Sequence, residues 1–410
     1  MHNGSPSISA ALPRRGWSQD PRNPVQSRSP TNTILIDGGG PVPTRAAEAV
    51  IRFTTKEGFK VSCLLNNEID PRQWDAFAQA SGASYLSAHR QLRAWAIKHW
   101  RDYDLSLFEI YVDEGGAQRK IGQCAVAVSL HKRLFLDRLQ LLRDDPILWR
   151  QAMSALLQEL GPGHYEYGWR WSLEPPREQD FGRIEGVVVE RVQPLFVHAV
   201  NFGQWPTWES YLKNISPNCR RNARRAETDL PDLSLDVRQG RRALLQCLVL
   251  LRLRSAMCRR KFLPFNGWRS AISYLGMIIR CPESTITAVA SAGGRSLAAL
   301  IEVEFASNTY FLEGASRQDN SGAAWYLQLA MLRRAYERNP ASGKFVMGYI
   351  DYATHTEERG GGLLRSRRAL RVTEYATSLV SLTYQFPAIH PQDAVSDCLS
   401  LCDDAGNSRE

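Results

Sequence analysis

The chain has 410 residues, of which 43% are hydrophobic, and a formal net charge of +9 at pH 7. That length suits about two domains plus tails. No apolar run approaches the roughly 20 residues of a membrane-spanning helix, and eight scattered cysteines are too few for a disulfide framework. We therefore expect a cytoplasmic protein, with peripheral attachment to the inner membrane face left open. The charge favours a polyanionic partner or an ordinary solvated basic face.

Both ends of the chain are predicted to be disordered tails. Residues 1–50 are rich in Ser, Pro, Gly and Arg and bury too little apolar surface to offset the loss of chain entropy. The glycines at 38–40 lack the Lys-Ser/Thr and the following helix of a phosphate-binding loop, so we interpret them as linker. In the second tail, residues 386–410, Cys398 and Cys402 have no matching Cys/His pair nearby, and no metal site is expected.

A first domain is predicted over residues 51–200. Helices are expected at 71–77, 87–100 and 146–160, from the spacing of apolar residues and from proline in a first turn. β-Branched and aromatic residues predict strands at 105–112, 121–130 and 164–171. The third strand would carry four aromatic residues on one face: Tyr165, Tyr167, Trp169 and Trp171.

A second domain, residues 201–385, repeats that order of elements. Helices are expected at 241–260, 268–279 and 322–338, and strands at 286–290, 297–305, 310–315 and 344–350. We interpret the recurrence as an internal duplication. The predicted fold is α/β, with two tandem units that each have a mixed, mostly antiparallel sheet flanked by helices.

Small residues precede the helix predicted at 322–338. Ser321, Gly322 and Ala323 would leave the first backbone N–H groups of that helix accessible, and the positive end of its dipole could hold a pyrophosphate. A serine N-cap followed by small packing residues is an equally open interpretation.

The second half resembles a known family in its order of motifs. Trp205-x-x-Trp208-x-x-Tyr211 is followed by an arginine-rich stretch from Arg220, a hairpin, and Ser321-Gly-Ala-Ala ahead of a long helix. This order resembles the double-GNAT proteins, which include FemAB-like peptidyltransferases and CelD-type acetyltransferases of polysaccharide synthesis. The resemblance covers residues 60–385. It implies a tandem N-acyltransferase fold, with the substrate groove in the second unit.

The same resemblance implies an acyl-CoA-dependent N- or O-acyltransferase, without a metal, that acts on a sugar or cell-envelope polysaccharide precursor. The chain departs from the family at two places. The segment from Arg317 to Ala323, in which Arg317 is a further candidate for cofactor binding, is longer than the usual cofactor loop, and arginine stands at 365 and 367 where lysine is expected. Acetyl-CoA, a longer acyl-CoA and aminoacyl-tRNA therefore all remain open as donors. A binding protein that has kept this fold and lost the acyl-transfer activity is a further alternative.

Direct acyl transfer needs a base for the acceptor and donors for the developing oxyanion. Alternation along residues 297–305 separates Glu302 and Glu304 from Ile301, so that the two carboxylates would face a groove, or else an open, solvated sheet face. This pair is our first hypothesis for the base. The other candidates are Glu313, before an expected turn, and Asp351 and His355, which follow the last predicted strand of the repeat.

Two further groups are candidate substrate ligands. The arginines Arg220, Arg221, Arg224 and Arg225 would form one helical stripe that could hold phosphates, or a solvated stripe paired with Glu227 and Asp229. The rings of Trp205, Trp208 and Tyr211 are expected in the core, with a sugar-stacking platform as the alternative.

Overall fold

The computed structural model describes residues 51–54, 60–65, 69–114, 117–318, 321–350 and 357–386. Several predictions concern residues outside these ranges: the N-terminal tail, nearly all of the C-terminal tail with its cysteine pair, and the candidate bases Asp351 and His355. They stay predictions.

The helices follow one another through both halves of the chain. They are α1 (Pro71–Ala80), α2 (His89–Lys98), α3 (Pro146–Leu160), α4 (Glu178–Phe181), α5 (Trp208–Asn214), α6 (Pro217–Asp229), α7 (Leu244–Arg260), α8 (Gly267–Arg280), α9 (Ala323–Arg338) and α10 (Glu357–Ala369). Local signals set several of these starts. In α1 and α3, proline occupies the first turn, and the side chains of Asp70 and Asp145 accept hydrogen bonds from backbone N–H groups of that turn.

The strands belong to a single sheet. They are β1 (Ile51–Thr54), β2 (Lys60–Leu65), β3 (Asp104–Glu114), β4 (Ala117–Val128), β5 (Arg133–Phe135), β6 (Gln140–Leu141), β7 (Gly163–Tyr167), β8 (Val187–Asn201), β9 (Ser234–Gln239), β10 (Thr285–Ala292), β11 (Arg295–Phe305), β12 (Asn308–Ser316), β13 (Lys344–Ile350) and β14 (Thr373–Tyr384). Their order is β1-β2-β3-β4-β5-β7-β14-β8-β13-β12-β11-β10-β9, with β6 beside β4.

Strand pairing across this sheet is mostly antiparallel. Among the described strands, β5–β7 and β12–β13 are the parallel pairs. The strand β14 lies between β7 and β8, so the last described strand joins the sheet of the first half to that of the second. The boundary predicted at residue 200 falls at the end of β8. The division into two domains remains a prediction.

Helices cover both faces of the sheet in the second half. On one face, Ala298 and Leu300 of β11 pack against Leu327 and Met331 of α9. On the other face, residues of β11 such as Ile301 pack against α7 and α8. The predicted α/β class, with a mixed sheet flanked by helices, is confirmed.

Some predicted elements differ from the structure. The strand predicted at 164–171 ends at Tyr167, because Gly168 adopts a positive φ of 104° against the carbonyl of Ser378 and turns the chain out of the sheet. Trp169 and Trp171 therefore do not belong to that strand. The sequence analysis also missed the strands β1, β2, β5, β6, β8, β9 and β14 and the helices α4 and α10.

Candidate functional site

The strands β12 and β13 run parallel but separate soon after they meet. Only Thr309–Phe345 and Tyr310–Val346 are paired, although β12 continues to Ser316 and β13 to Ile350. Residues 311–316 and 347–350 thus line a gap, which we call the opening. Ligands in α/β proteins commonly bind beyond the carboxyl ends of neighbouring parallel strands.

An irregularity in each strand accompanies the separation. In β12, Leu312 is an extra residue between the positions that pair with Ile301 and Glu302 of β11. In β13, Met347 and Gly348 together oppose a single residue of β8. Such bulges bend a strand locally and are frequent next to active sites.

Arg367 of α10 occupies the β13 side of the opening. Its buried guanidinium donates hydrogen bonds to the carbonyls of Met347, Gly348 and Tyr349, at 3.0 Å for Gly348 and 3.2 Å for Tyr349. A buried carbonyl without a donor is costly. Arg367 thus satisfies three carbonyls in the part of β13 that does not pair with β12, and it stabilises the separated strand.

Gly348 is also required at this position. Its φ is +80°, and a Cβ atom there would lie 2.9 Å from the ring of Trp171. Both the backbone conformation and the contact favour glycine. The indole of Trp171 therefore packs directly against the bend in β13.

Glu313 lies on the β12 side of the opening. Its carboxylate is 2.8 Å from a guanidinium nitrogen of Arg254 on α7 and accepts a hydrogen bond of 3.1 Å from the hydroxyl of Tyr274 on α8. Burial raises the pKa of Glu313, and the charge of Arg254 and the Tyr274 hydrogen bond oppose the rise. The turn predicted at Gly314 is absent, because β12 continues to Ser316.

The two glutamates of our first hypothesis lie on the α9 side of β11. Glu302 is fully buried, and neither of its carboxylate oxygens has a hydrogen-bond partner in the described structure; burial raises its pKa to about 8. Glu304 forms ion pairs with Arg334 and Arg338 of α9 and lines a cavity of about 800 Å3. The expectation that both face a groove or open solvent is wrong for Glu302, because α9 covers that face.

The start of α9 is packed against α6. Gly322 has a φ of +77°, and a Cβ atom there would lie 1.9 Å from the backbone oxygen of Asn222. The hydroxyl of Ser321 accepts a hydrogen bond of 3.3 Å from the N–H of Ala323. Small residues at this point therefore have a packing function. Binding of a donor pyrophosphate by Ser321, Gly322 and Ala323 remains a prediction.

A cavity lined by arginines lies where β12 ends. It has a volume of about 670 Å3, and we call it the arginine cavity. The arginines that line it are Arg252, Arg259, Arg260, Arg295 and Arg317. The side chain of Arg317 donates to the carbonyl of Ser296 at 2.8 Å, and that of Arg260 to the carbonyl of Ser316 at 3.0 Å. No carboxylate of the described residues lines the cavity or pairs with these arginines. Arginines without carboxylate partners favour an anionic ligand in the cavity.

The arginine stripe on α6 forms as predicted. Arg220, Arg221, Arg224 and Arg225, the α6 arginines, line a shallow cavity of about 530 Å3 on the exposed side of α6. The alternative was a solvated stripe whose arginines pair with Glu227 and Asp229. Among the residues that the structure describes, these ion pairs do not form.

The aromatic residues ahead of that stripe pack in the core. Tyr211 is fully buried and donates a hydrogen bond of 3.0 Å from its hydroxyl to the carbonyl of Leu370. Its ring contacts those of Trp205 and Trp208. Core packing, the default interpretation, describes these three rings, and a ring as buried as that of Tyr211 cannot stack on a sugar.

Sequence reasoning missed Arg254 and Tyr274 as partners of Glu313, and it missed four of the five arginines of the cavity. One signal was present in the sequence. From Val237 to Pro282 the chain has no Asp or Glu but ten Arg and Lys residues. That segment supplies α7 and α8, and a charge count by segment would have drawn attention to it.

Comparisons with solved structures show which fold this is. The structure of FemX matches with a TM-score of 0.53 at 10% sequence identity, over 78% of this chain and 97% of that chain. The two proteins therefore share a fold. No protein-family model matches this sequence, and no curated protein sequence matches it significantly.

Two more distant structures also match. L-PGS from Bacillus licheniformis matches with a TM-score of 0.43 at 12% identity, over 80% of this chain and 95% of that chain. A tandem GNAT protein from the clavulanic acid biosynthesis pathway matches with 0.39 at 12% identity, over 79% and 98%. The CelD-type part of the resemblance stays a prediction.

Proposed function

We propose that this protein is an acyltransferase that moves an acyl or aminoacyl group directly from an activated donor to an amine or hydroxyl. The observation that carries the proposal is the opening between β12 and β13, with the carboxylate of Glu313 at its side. The acceptor class that we propose, on the sequence resemblance, is a sugar or cell-envelope polysaccharide precursor.

Glu313 has the properties of a general base for this reaction. Its side chain retains 26% exposure, so an acceptor can reach it, and burial raises its pKa towards the working range of a base. Arg254 and Tyr274 fix the carboxylate by an ion pair and a hydrogen bond. The base accepts a proton from the amine or hydroxyl as that group attacks the acyl carbon. The bond from the acyl carbon to the CoA sulfur, or to the ribose oxygen of tRNA, then breaks, and the leaving thiolate or alkoxide takes up the proton.

The opening can also supply oxyanion donors. Beyond Tyr310, the backbone groups of β12 that point towards β13 have no strand partner there. Backbone N–H groups held rigidly at a reacting carbonyl stabilise the negative charge that develops on its oxygen. Transfer within the opening therefore requires no covalent enzyme intermediate.

The arginine cavity is our proposed site for the phosphates of the donor. Arg260 and Arg317 flank the end of β12, and Arg295 begins the neighbouring strand. A donor with its phosphates in this cavity would have its acyl end directed along β12 towards Glu313. An acyl-CoA is the donor that we favour.

The first experiment compares Glu313→Gln with Glu304→Gln. Purified protein is assayed for transfer from acetyl-CoA, longer acyl-CoAs and aminoacyl-tRNA. Loss of a general base lowers turnover by about a hundredfold or more, and donor affinity should change little. Glu304→Gln is the matched control, because Glu304 is also a mostly buried carboxylate paired with arginine. Near-normal turnover by Glu313→Gln would contradict the assignment of Glu313 as the general base.

The second experiment tests the donor site. Arg295→Gln with Arg317→Gln should weaken donor binding at least about tenfold, since each removes a charge-assisted contact to phosphate. Arg333→Gln is the control, because Arg333 pairs on the surface with Glu337. Donor binding raises the unfolding temperature, which gives a readout that needs no acceptor. A stabilising donor without turnover would favour a binding protein.

Aminoacyl-tRNA is a second candidate donor. The α6 arginines form a further basic surface without carboxylate partners in the described structure. A polynucleotide could contact this surface through its phosphates. If tRNA is the donor, Arg221→Gln with Arg225→Gln weakens its binding and reduces the salt dependence, whereas acyl-CoA binding is unchanged.

A further inference from the structure

Two helices on one face of the sheet expose an unusual number of large apolar side chains. Both α7 and α8 turn one side to the sheet, where Leu250 and Ile278 are buried. The opposite sides and the loop between the helices carry residues that we call the α7–α8 face: Leu245, Leu248, Phe262, Leu263, Trp268, Ile272 and Ile279. Phe262 is 95% exposed and Trp268 76% exposed.

The exposed residues of α8 follow a helical stripe. Trp268, Ile272 and Ile279 are separated by four and seven residues, which places them within about 40° of one another around the helix axis. Arg269 and Arg280 lie beside this stripe. An apolar stripe bordered by cations is the pattern of a helix that lies in a membrane interface.

Charge within the chain segment that forms this face has a single sign. The whole segment from Val237 to Pro282, which contains both helices, has no carboxylate side chain but ten Arg and Lys residues. Protein partners usually present charges of both signs, whereas an anionic bilayer is a continuous negative surface with an apolar interior. Long arginine side chains can reach phosphates while neighbouring apolar groups enter the acyl boundary.

Neither helix can cross a bilayer. No helix in the described part of the chain is long and apolar enough to do so. The α7 helix has 17 residues, four of them arginine, and α8 has 14. The surface thus suits docking parallel to a membrane.

We propose that the α7–α8 face docks onto an anionic lipid bilayer. The apolar residues enter the headgroup region, and the cations beside them contact lipid phosphates. Docking places α7, and with it Arg254 beside Glu313, next to the membrane surface. The proposal does not depend on the proposed transfer chemistry, because the residues substituted in its test, Lys261, Phe262, Trp268 and Arg269, lie outside the opening and the arginine cavity.

The test is sedimentation of the full chain with two kinds of vesicle. One is phosphatidylcholine alone, and the other contains phosphatidylcholine and phosphatidylglycerol in equal parts. We expect binding to the anionic vesicles at least about tenfold stronger than to the neutral ones, and weaker binding at high salt. Equal binding to both, or binding to neither, would overturn the proposal.

Variants locate the docking residues. Phe262→Ser with Trp268→Ser should weaken binding to the anionic vesicles at least about tenfold, since two large apolar groups no longer enter the lipid. The matched control is Phe386→Ser, because Phe386 is also an exposed phenylalanine but follows β14. Lys261→Gln with Arg269→Gln should weaken binding several-fold. Unchanged binding by the first pair, or an equal loss in Phe386→Ser, would overturn the proposal.

Two further measurements separate this proposal from its alternatives. Without vesicles, the Phe262→Ser, Trp268→Ser variant should bind acyl-CoA or tRNA normally. A loss of donor binding would mean that the α7–α8 face binds the donor, and it would overturn the membrane-docking proposal. Sedimentation equilibrium should show no self-association through these residues. A dimer that the same substitutions dissociate would make the face a contact between copies of the chain, and would also overturn it.

Discussion

The guanidinium of Arg254 on α7 lies 2.8 Å from the carboxylate of Glu313 on β12. This ion pair joins a helix on one face of the sheet to the side of the opening. Burial raises the pKa of Glu313, and Arg254 opposes the rise. The protonation of the proposed base therefore depends on a residue 59 positions away in sequence.

Arg254→Gln should move the pH dependence of turnover. A base acts only when ionised, so the rate falls on the acid side as Glu313 is protonated. Without the positive charge the pKa of Glu313 rises further, and the acid limb of the kcat profile shifts to higher pH. Arg333→Gln, the same substitution in an exposed pair, should leave the limb unmoved. An acid limb that stays in place in Arg254→Gln would mean that another group titrates.

Glu302→Gln should stabilise the protein, most of all at alkaline pH. The pKa of Glu302 is about 8 in the folded chain and lies near 4.5 in the unfolded chain, so the folded state binds more protons between these values. Stability contributed by the neutral form is complete below pH 4.5 and is lost as pH rises through about 8. The neutral amide avoids this loss, which is of the order of a few kcal/mol.

Thermal unfolding of Glu302→Gln and of the unchanged protein at pH 5 and pH 9 measures the effect. We expect a larger gain at pH 9. Because Glu302 is not the proposed base, donor binding and turnover should survive the substitution. A gain that is the same at both pH values would show that Glu302 is already ionised at pH 5 or that it is solvated.

Gly348→Ala should destabilise the bend in β13. The Cβ atom would meet the ring of Trp171 at 2.9 Å, in addition to the strain of a positive φ. Gly294→Ala is the control, because Gly294 has a φ of +69° but open space around it. The control should lose about 1 kcal/mol in the free energy of unfolding, and Gly348→Ala about 1–3 kcal/mol more. Equal losses would indicate that Trp171 moves aside.

Arg367→Met should cost about 3 kcal/mol or more in the free energy of unfolding. The substitution keeps the apolar stem but leaves three carbonyls of β13 without their donor. Arg371→Met removes a single bond, of 2.9 Å, to the carbonyl of Asn214 and should cost about 1 kcal/mol or less. Denaturant unfolding compares the two. Similar losses would show that water reaches the carbonyls of β13.

Limited proteolysis should leave one resistant core. The strand β14 lies between β7 and β8, so cleavage near residue 200 would divide a continuous sheet. We expect the predicted tails, residues 1–50 and 386–410, to be removed first, as judged by mass spectrometry of the fragments. Early cleavage near residue 200 into two stable pieces would contradict this prediction.

Much of the fold could be predicted from the sequence because local signals carry it. Residues 146–160 and 344–350 were predicted as a helix and a strand with the bounds that the structure has. Proline in the first turn and the glycine after the last turn define the helix, and β-branched and aromatic residues define the strand. The strand β14 was missed although it contains β-branched and aromatic residues; what the sequence does not reveal is its place beside β8, whose paired residues lie some 180 positions earlier.

The sequence by itself determined the α/β class, the order of helices and strands from residue 241 to residue 350, the arginine stripe of α6 and the basic segment around α7 and α8. Each depends on composition or on a period of a few residues. Only the tertiary structure decided which carboxylate lies at the opening. Alternation along β11 favoured Glu302 and Glu304, but whether a helix covers a sheet face is a property of packing. Glu313 acquires its environment from Arg254 and Tyr274 on two other elements, and no periodicity along β12 could reveal them.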